Sequence, residues 1–269
     1  MNIYFSSGAI FFYLLAAFKA IADLLQTGTD QRASQKLQFF LFGFIALLLH
    51  GVVLYQNVKT AGGLNLGFYN ALSLMSGCIS LFVLLAALSK PLQNLAVIIF
   101  PMTSIALIME IVFQSSRVLP DSSPAGLKIH VLLSVCAYSL LTIAALQAVL
   151  LALQDRQITN KHPASIMRLP PMQIMEDLLI QIIAIGFFIL SLSLATGFMF
   201  VSDFLAQHLS HKTVFSILAW IIFGMLLWGR WTRGWRGRTI IRWTIGGFLS
   251  LMLAYFGSKF VLELILKRV

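Results

Sequence analysis

The sequence predicts an all-α fold, a polytopic transmembrane bundle of about eight helices. Three observations carry that reading. Hydrophobic residues make up 59% of the 269 and charged residues only 10%, with a mean hydropathy of +0.90, which lies outside the range of soluble domains. The apolar residues fall into runs of about 20, the length that crosses the hydrocarbon core as a helix, where lipid offers backbone N–H and C=O groups no other partner. The longest stretch between runs, residues 155–177, is too short to bury a core of its own. The chain is therefore read as one transmembrane domain, 1–269.

The first run, about 3–25, has no basic region before it and no small-residue cleavage site after it, so it reads as a mature helix and not a signal peptide. The second, about 37–56, carries His50 in the setting LLLHGVVLY. Residues 59–70 follow, where Gly62, Gly63 and Gly67 allow tight turns. The third run, about 68–89, repeats Asn70, Ser73, Gly77 and Ser80 at three- and four-residue spacing, a small-residue stripe suited to close helix packing. The fourth, about 93–114, holds Glu110 near its end, placed to pair with Arg117 or to orient an imidazole, and the pairing is preferred. Pro120 and Pro124 mark 117–128 as an irregular connector.

The fifth run, about 127–154, contains IHVLLSVCAYSLL. His130, Ser134, Tyr138 and Thr142 recur there every four residues and so line one side of a helix. An ionisable ring in such a segment is costly and marks a functional position, and an imidazole is an axial ligand for haem iron. Residues 155–177 hold Pro163, Pro170 and Pro171, read as ending that helix. Glu176 and Asp177 then precede the sixth run, about 178–202, where acidic groups suit a helix N-terminus. The seventh and eighth runs, about 213–229 and 243–264, flank RWTRGWRGRTIIR. Its arginines and Gly229, Gly234 and Gly237 read as a tight basic turn anchored at the cytoplasmic surface, with the tryptophans around it at the interface.

Counting Lys and Arg with the N-terminus outside puts twelve on the cytoplasmic side and seven on the other, so both termini are expected on the periplasmic side of a bacterial inner membrane. Basic loops beside anionic lipid account for the net charge of +10, and nucleic acid is not expected as a partner. Cys78 and Cys136 each sit within a run. Neither CxxC nor CxxCH occurs, which excludes a thioredoxin-type site and covalent haem attachment to this chain. Paired carboxylates, a nucleophile elbow, a phosphate loop and zinc spacing are also missing, so no enzyme activity is expected.

The orientation sorts the five histidines. His50 lies in the outer half of its span, His130 at the outer end of its own, and His208 and His211 in an outer loop, leaving only His162 cytoplasmic. His130 and His50 are the candidate haem ligands. His208 and His211 read as loop residues and His162 as solvated.

The segments around His50, LNLGFYNALSL, IHVLLSVCAYSLL, LPPMQIMEDLLIQIIAIGF, ATGFMF, HKTVFSILAW, WGRWTRGWRGR and LAYFGSKFV resemble, in that order, the YpjD-like and HemX-like inner-membrane proteins of the cytochrome c assembly family, which includes the CcsA and CcmC haem-handling proteins. The resemblance implies haem binding by histidines at the outer face, with cytochrome c assembly proteins or apocytochrome as partners. It matches His130 to the outer-face histidine of the CcsA-type proteins and His50 to a histidine of the YpjD-like group. The tryptophan-rich WWD segment of the haem-delivery proteins has no counterpart between Thr196 and Trp220, and a histidine those proteins carry falls near Arg230 here. The expectation is a haem b protein for haem handling and cytochrome c assembly. The alternative is a cofactor-free adaptor or a small-solute transporter, and missing inverted repeats weigh against the transporter.

Overall fold

The computed structural model describes residues 3–25, 32–113, 117–159, 170–200 and 207–257; of 32, 33, 207–211, 256 and 257 it describes the backbone alone. Among the described residues eight helices run in order: α1 (Ile3–Leu25), α2 (Arg32–Val58), α3 (Phe68–Ser89), α4 (Gln93–Val112), α5 (Ala125–Thr159), α6 (Met172–Phe200), α7 (Gln207–Arg233) and α8 (Arg238–Met252), which continues into a π-helical turn at Leu253–Gly257. Seven of them, α1 to α7, are long and apolar enough to cross a membrane. The eighth expected span, about 243–264, lies partly outside the described residues. The chain is a polytopic helical membrane protein.

The helices sort into two compact units, one holding α1 to α4 and the other α5 to α8. In the first, α1 packs on α2 and α4, and α3 packs on α2 and α4, so the four close into a bundle. Its core combines the buried aromatics Tyr13, Phe39 and Phe100, whose rings meet at Phe100, with the buried small residues Ala9, Ala16, Ala46 and Ala96. The lipid-facing side carries the large apolar residues, such as Phe11, Phe18, Leu41 and Leu48. In the second unit α5 packs along α6 and on α8, and α7 packs on α6 and α8.

One end of the first unit is closed by a small antiparallel sheet of β1 (Lys59–Thr60), β2 (Gly63–Asn65) and β3 (Val118–Pro120), with Gly63 opposite Pro120 and Leu64 opposite Leu119. Residues 117–128 are thus less irregular than expected. Pro120 is tolerated because β3 is an edge strand, and Pro124 accepts the first helical bonds of α5 through its carbonyl. Gly63 has φ of +137°, and a Cβ there would lie 2.0 Å from the Leu119 carbonyl oxygen, so only glycine lets β3 approach β2.

The 155–177 connection is also shorter than expected. α5 runs on to Thr159 and α6 starts at Met172, with the Pro171 carbonyl accepting from the Met175 N–H. Pro171 therefore opens the next helix instead of ending the last one, a position where its missing N–H costs nothing. Glu176 and Asp177 sit inside the early turns of α6, not before it.

Candidate functional site

The four-residue pattern of α5 is realised in the second unit. His130 enters in the second turn of the helix, and its Nδ1 lies 2.8 Å from the Ser193 carbonyl oxygen of α6. A carbonyl only accepts, so Nδ1 carries the hydrogen, and the neutral ring keeps its lone pair on Nε2. This is the tautomer found in metal-ligating histidines whose other nitrogen is held by a backbone carbonyl. Ser134, one turn on, donates to the His130 carbonyl at 2.7 Å and shares a 2.8 Å hydrogen bond with the Ser193 hydroxyl. Gly197 stands one turn from Ser193, and a Cβ there would come within 2.8 Å of His130 Cε1. The ring is half-buried and is fixed by one carbonyl on one side and a missing side chain on the other. Tyr138 continues the same face, buried against Phe248 and Tyr255, and Thr142 turns back to the Tyr138 carbonyl.

His50 has a different setting in the first unit. It is fully buried, with Nδ1 3.2 Å from the Tyr13 hydroxyl and Nε2 3.0 Å from the Ser73 hydroxyl. Gly77 makes room for it, since a Cβ there would lie 3.1 Å from His50 Cε1. The small-residue stripe on α3 therefore does pack closely, and it also carries hydrogen bonds: Ser80 to Thr103 at 2.9 Å as well as Ser73 to His50. Glu110 finds Asn57 instead of Arg117: Asn57 Nδ2 donates to Oε1 at 2.9 Å, while Oε2 is buried and has no hydrogen-bond partner among the described residues. His162 lies outside the described residues, as do Lys259 and the side chains of His208 and His211. Among the described residues no three or more of His, Cys, Asp and Glu gather into a metal-binding group.

The arginine loop is more than a surface anchor. Gly234 and Gly237 have φ of +64° and +56°, which makes the tight turn expected. Arg230 then points inward: Nη1 bonds Glu176 Oε1 at 2.8 Å and the Trp235 carbonyl at 3.0 Å, and Nη2 bonds Asp177 at 3.0 Å. The Gly237 N–H donates to the other Glu176 oxygen at 2.9 Å. This clasp joins α6, α7 and the turn before α8. Trp235 packs over Gly229 and against Trp243, while Trp228 and Trp231 remain exposed as expected of interfacial anchors.

The residues that seat the histidines were not singled out from sequence, apart from Ser73, Gly77 and Ser134. Tyr13, Ser193 and Gly197 were missed. A signal was available, because the seat of His50 reads SLMSG at 73–77 and that of His130 reads SLATG at 193–197, a serine and a glycine four apart in both.

Comparison with known proteins agrees with these features. The family model described as "Cytochrome C assembly protein" matches residues 39–266. The chain belongs to the cytochrome c assembly protein family. It is 33% identical to the inner membrane protein YpjD of Escherichia coli K12, over 82% of this chain and 85% of that protein. It is 27% identical to a 28.8 kDa protein of Azospirillum brasilense over 98% of both chains. A shorter match, 28% identical over 33% of this chain, reaches 27% of the cytochrome c biogenesis protein CcsA of Gloeobacter violaceus. No solved structure matches. With YpjD named for the inner membrane and seven spanning helices present, this family member is a multi-pass inner-membrane protein.

Proposed function

We propose that this protein binds haem b through His130 and serves haem handling in cytochrome c assembly. The observation that carries the reading is the 2.8 Å bond from His130 Nδ1 to the Ser193 carbonyl, which leaves the Nε2 lone pair available to a ligand-seeking iron. The donor chemistry fits the group: a neutral imidazole, held by a backbone carbonyl, on a half-buried helix start with large exposed apolar residues such as Ile129 and Leu132 beside it. Bound haem would supply an iron centre to be carried or passed on, and this chain's contribution is to fix the ring and cover it with apolar surface. No CxxCH is present, so the attachment is non-covalent.

The family supports the assignment to cytochrome c biogenesis, the role for which its CcsA relatives are named. Under the charge-derived orientation, both termini and His130 lie on the periplasmic side, where an apocytochrome or another assembly protein would meet the site. His50 is the second candidate ligand. Its Nε2 reaches iron only by leaving Ser73.

The test is an optical spectrum of the detergent-purified protein beside His130→Ala and His50→Ala. A Soret band in the wild type that is lost in His130→Ala is the expected result. The His50→Ala spectrum reports whether that ring is a second ligand. A wild type that stays colourless after hemin is added overturns the haem reading and leaves a cofactor-free adaptor.

A further inference from the structure

The charges at one end of the second unit do not balance. Its described acidic residues are Asp155 near the end of α5 and Glu176 and Asp177 in the early turns of α6, and each is taken by one of two arginines. Arg230 bonds Glu176 and Asp177, and Arg238 Nε bonds Asp155 at 2.8 Å. Arg156, Arg233, Arg236 and Arg242 stand at the same end. Their side chains are exposed and have no hydrogen bond or ion pair among the described residues. The surface left over is purely cationic.

Three of these arginines spring from a backbone that is pinned. Arg233 ends α7, Arg236 lies between the left-handed glycines Gly234 and Gly237, and Arg242 stands one turn after Arg238 on α8. Across that turn the Trp235 N–H donates to the Gly229 carbonyl at 3.3 Å, Arg230 Nη1 donates to the Trp235 carbonyl at 3.0 Å, and the Gly237 N–H donates to Glu176 at 2.9 Å. The clasp around Arg230 thus does two things for the surface above it. It occupies the carboxylates that would compete for the free cations, and it fixes the backbone that carries them. An apolar stripe also runs along α7 up to the turn. Ile221, Met225, Trp228 and Trp231, at four- and three-residue spacing, are all exposed.

We propose that the arginine turn is a binding site for an anionic phospholipid, with the phosphodiester headgroup on Arg233, Arg236 and Arg242 and the acyl chains along the exposed stripe of α7. A guanidinium suits this headgroup, because its fork bonds two phosphate oxygens at once. A soluble anion would use the cations alone. Cations joined at the membrane interface to an apolar helix face match a molecule that carries phosphate and acyl chains together. The general attraction of a basic loop for an anionic leaflet follows the number of charges and needs no fixed backbone; a site depends on which charges are present. The inference is independent of the haem reading, since the turn joins α5 near Asp155, at the opposite end of that helix from His130.

The test is native mass spectrometry of the full chain in detergent micelles, titrated with phosphatidylglycerol and, separately, with phosphatidylcholine of the same acyl chains. The wild type should retain phosphatidylglycerol in preference. Arg233→Gln/Arg236→Gln removes two exposed side chains without a partner in the described fold, and should weaken that binding roughly 30-fold, about fivefold for each arginine beside an anionic lipid. Lys36→Gln/Lys90→Gln removes the same charge from exposed positions of the first unit and should leave the binding unchanged. Equal binding of the two lipids by the wild type overturns the site, and so does an equal loss in both double variants, which leaves net charge as the cause. Displacement of the lipid by inorganic phosphate or by a short oligonucleotide overturns the lipid as occupant and makes the turn a site for soluble anions.

Discussion

Arg230→Met removes the centre of the clasp between α6, α7 and the turn before α8 while keeping most of the side-chain volume. The Arg230 and Glu176 side chains are only 15% and 10% exposed, so the pair is largely out of water. The variant leaves Glu176 with one partner, the Gly237 N–H, and leaves the Trp235 carbonyl without its guanidinium. Breaking a buried pair by removing one member costs about 3–5 kcal/mol, because a charge is left behind. The bond to Asp177, which is 52% exposed, adds within about 1 kcal/mol. The residual Gly237 bond and partial solvent access put the total near the low end, about 3 kcal/mol. At roughly 2–4 °C per kcal/mol for a domain of this size, Tm should fall by roughly 6–12 °C in thermal unfolding followed by circular dichroism in detergent. Glu176→Gln should cost less, since Arg230 keeps Asp177 and the Trp235 carbonyl. The double variant should cost less than the sum, because the two side chains act on one bond. A Tm for Arg230→Met within about 2 °C of the wild type would refute the reading and return Arg230 to a surface anchor.

Two further substitutions probe single close approaches. Gly197→Ala puts a methyl 2.8 Å from His130 Cε1 and must push the ring off the Ser193 carbonyl, an overpacking of about 1–3 kcal/mol. Its Soret band should weaken, while Gly224→Ala, which meets Phe187 at an ordinary 3.5 Å, should leave the band unchanged; equal bands in both variants would separate Gly197 from the site. Gly63→Ala forces a side chain into positive φ and against the Leu119 carbonyl, at a backbone cost of about 1–3 kcal/mol. Hydrogen exchange at the Leu66 amide, which donates to the Arg117 carbonyl at 2.8 Å, should accelerate, and an unchanged rate would show that the sheet tolerates the methyl.

The helices were legible because a membrane span is written in consecutive residues. The runs at 3–25 and 68–89 coincide with α1 and α3, and His130, Ser134 and Tyr138 fall on one face as the helical period requires. What joins one helix to another was not legible. Glu176 meets Arg230 across 54 positions, His130 meets Ser193 across 63, and Asn57 meets Glu110 across 53. Nothing in the period of either helix says which neighbour it will face. Arg230 was read as an anchor because an arginine among glycines and tryptophans at a helix end has that pattern whether or not it finds a carboxylate. The strand β3 was missed for a related reason: three residues with a proline form a strand only because Gly63 lets another chain segment come close.

The paired seats show how a membrane bundle can place a histidine without a cluster of ligands. In both, a flat ring lies between helices, and a glycine opposite Cε1 removes the Cβ that would hold the helices apart. In both, the residue before that glycine, Ser76 or Thr196, bonds back to the carbonyl of the serine that touches the ring, at 2.9 Å each. The seats part at one atom. Ser193 offers His130 its carbonyl, while Ser73 offers His50 its hydroxyl. A carbonyl fixes one tautomer and leaves the lone pair on the other nitrogen; a hydroxyl donates or accepts and so leaves both tautomers open. The same five-residue seat thus fixes the tautomer of the histidine in one unit and leaves that of the other open. Residue type and spacing are shared by both, so the distinction rests on which serine oxygen the ring meets.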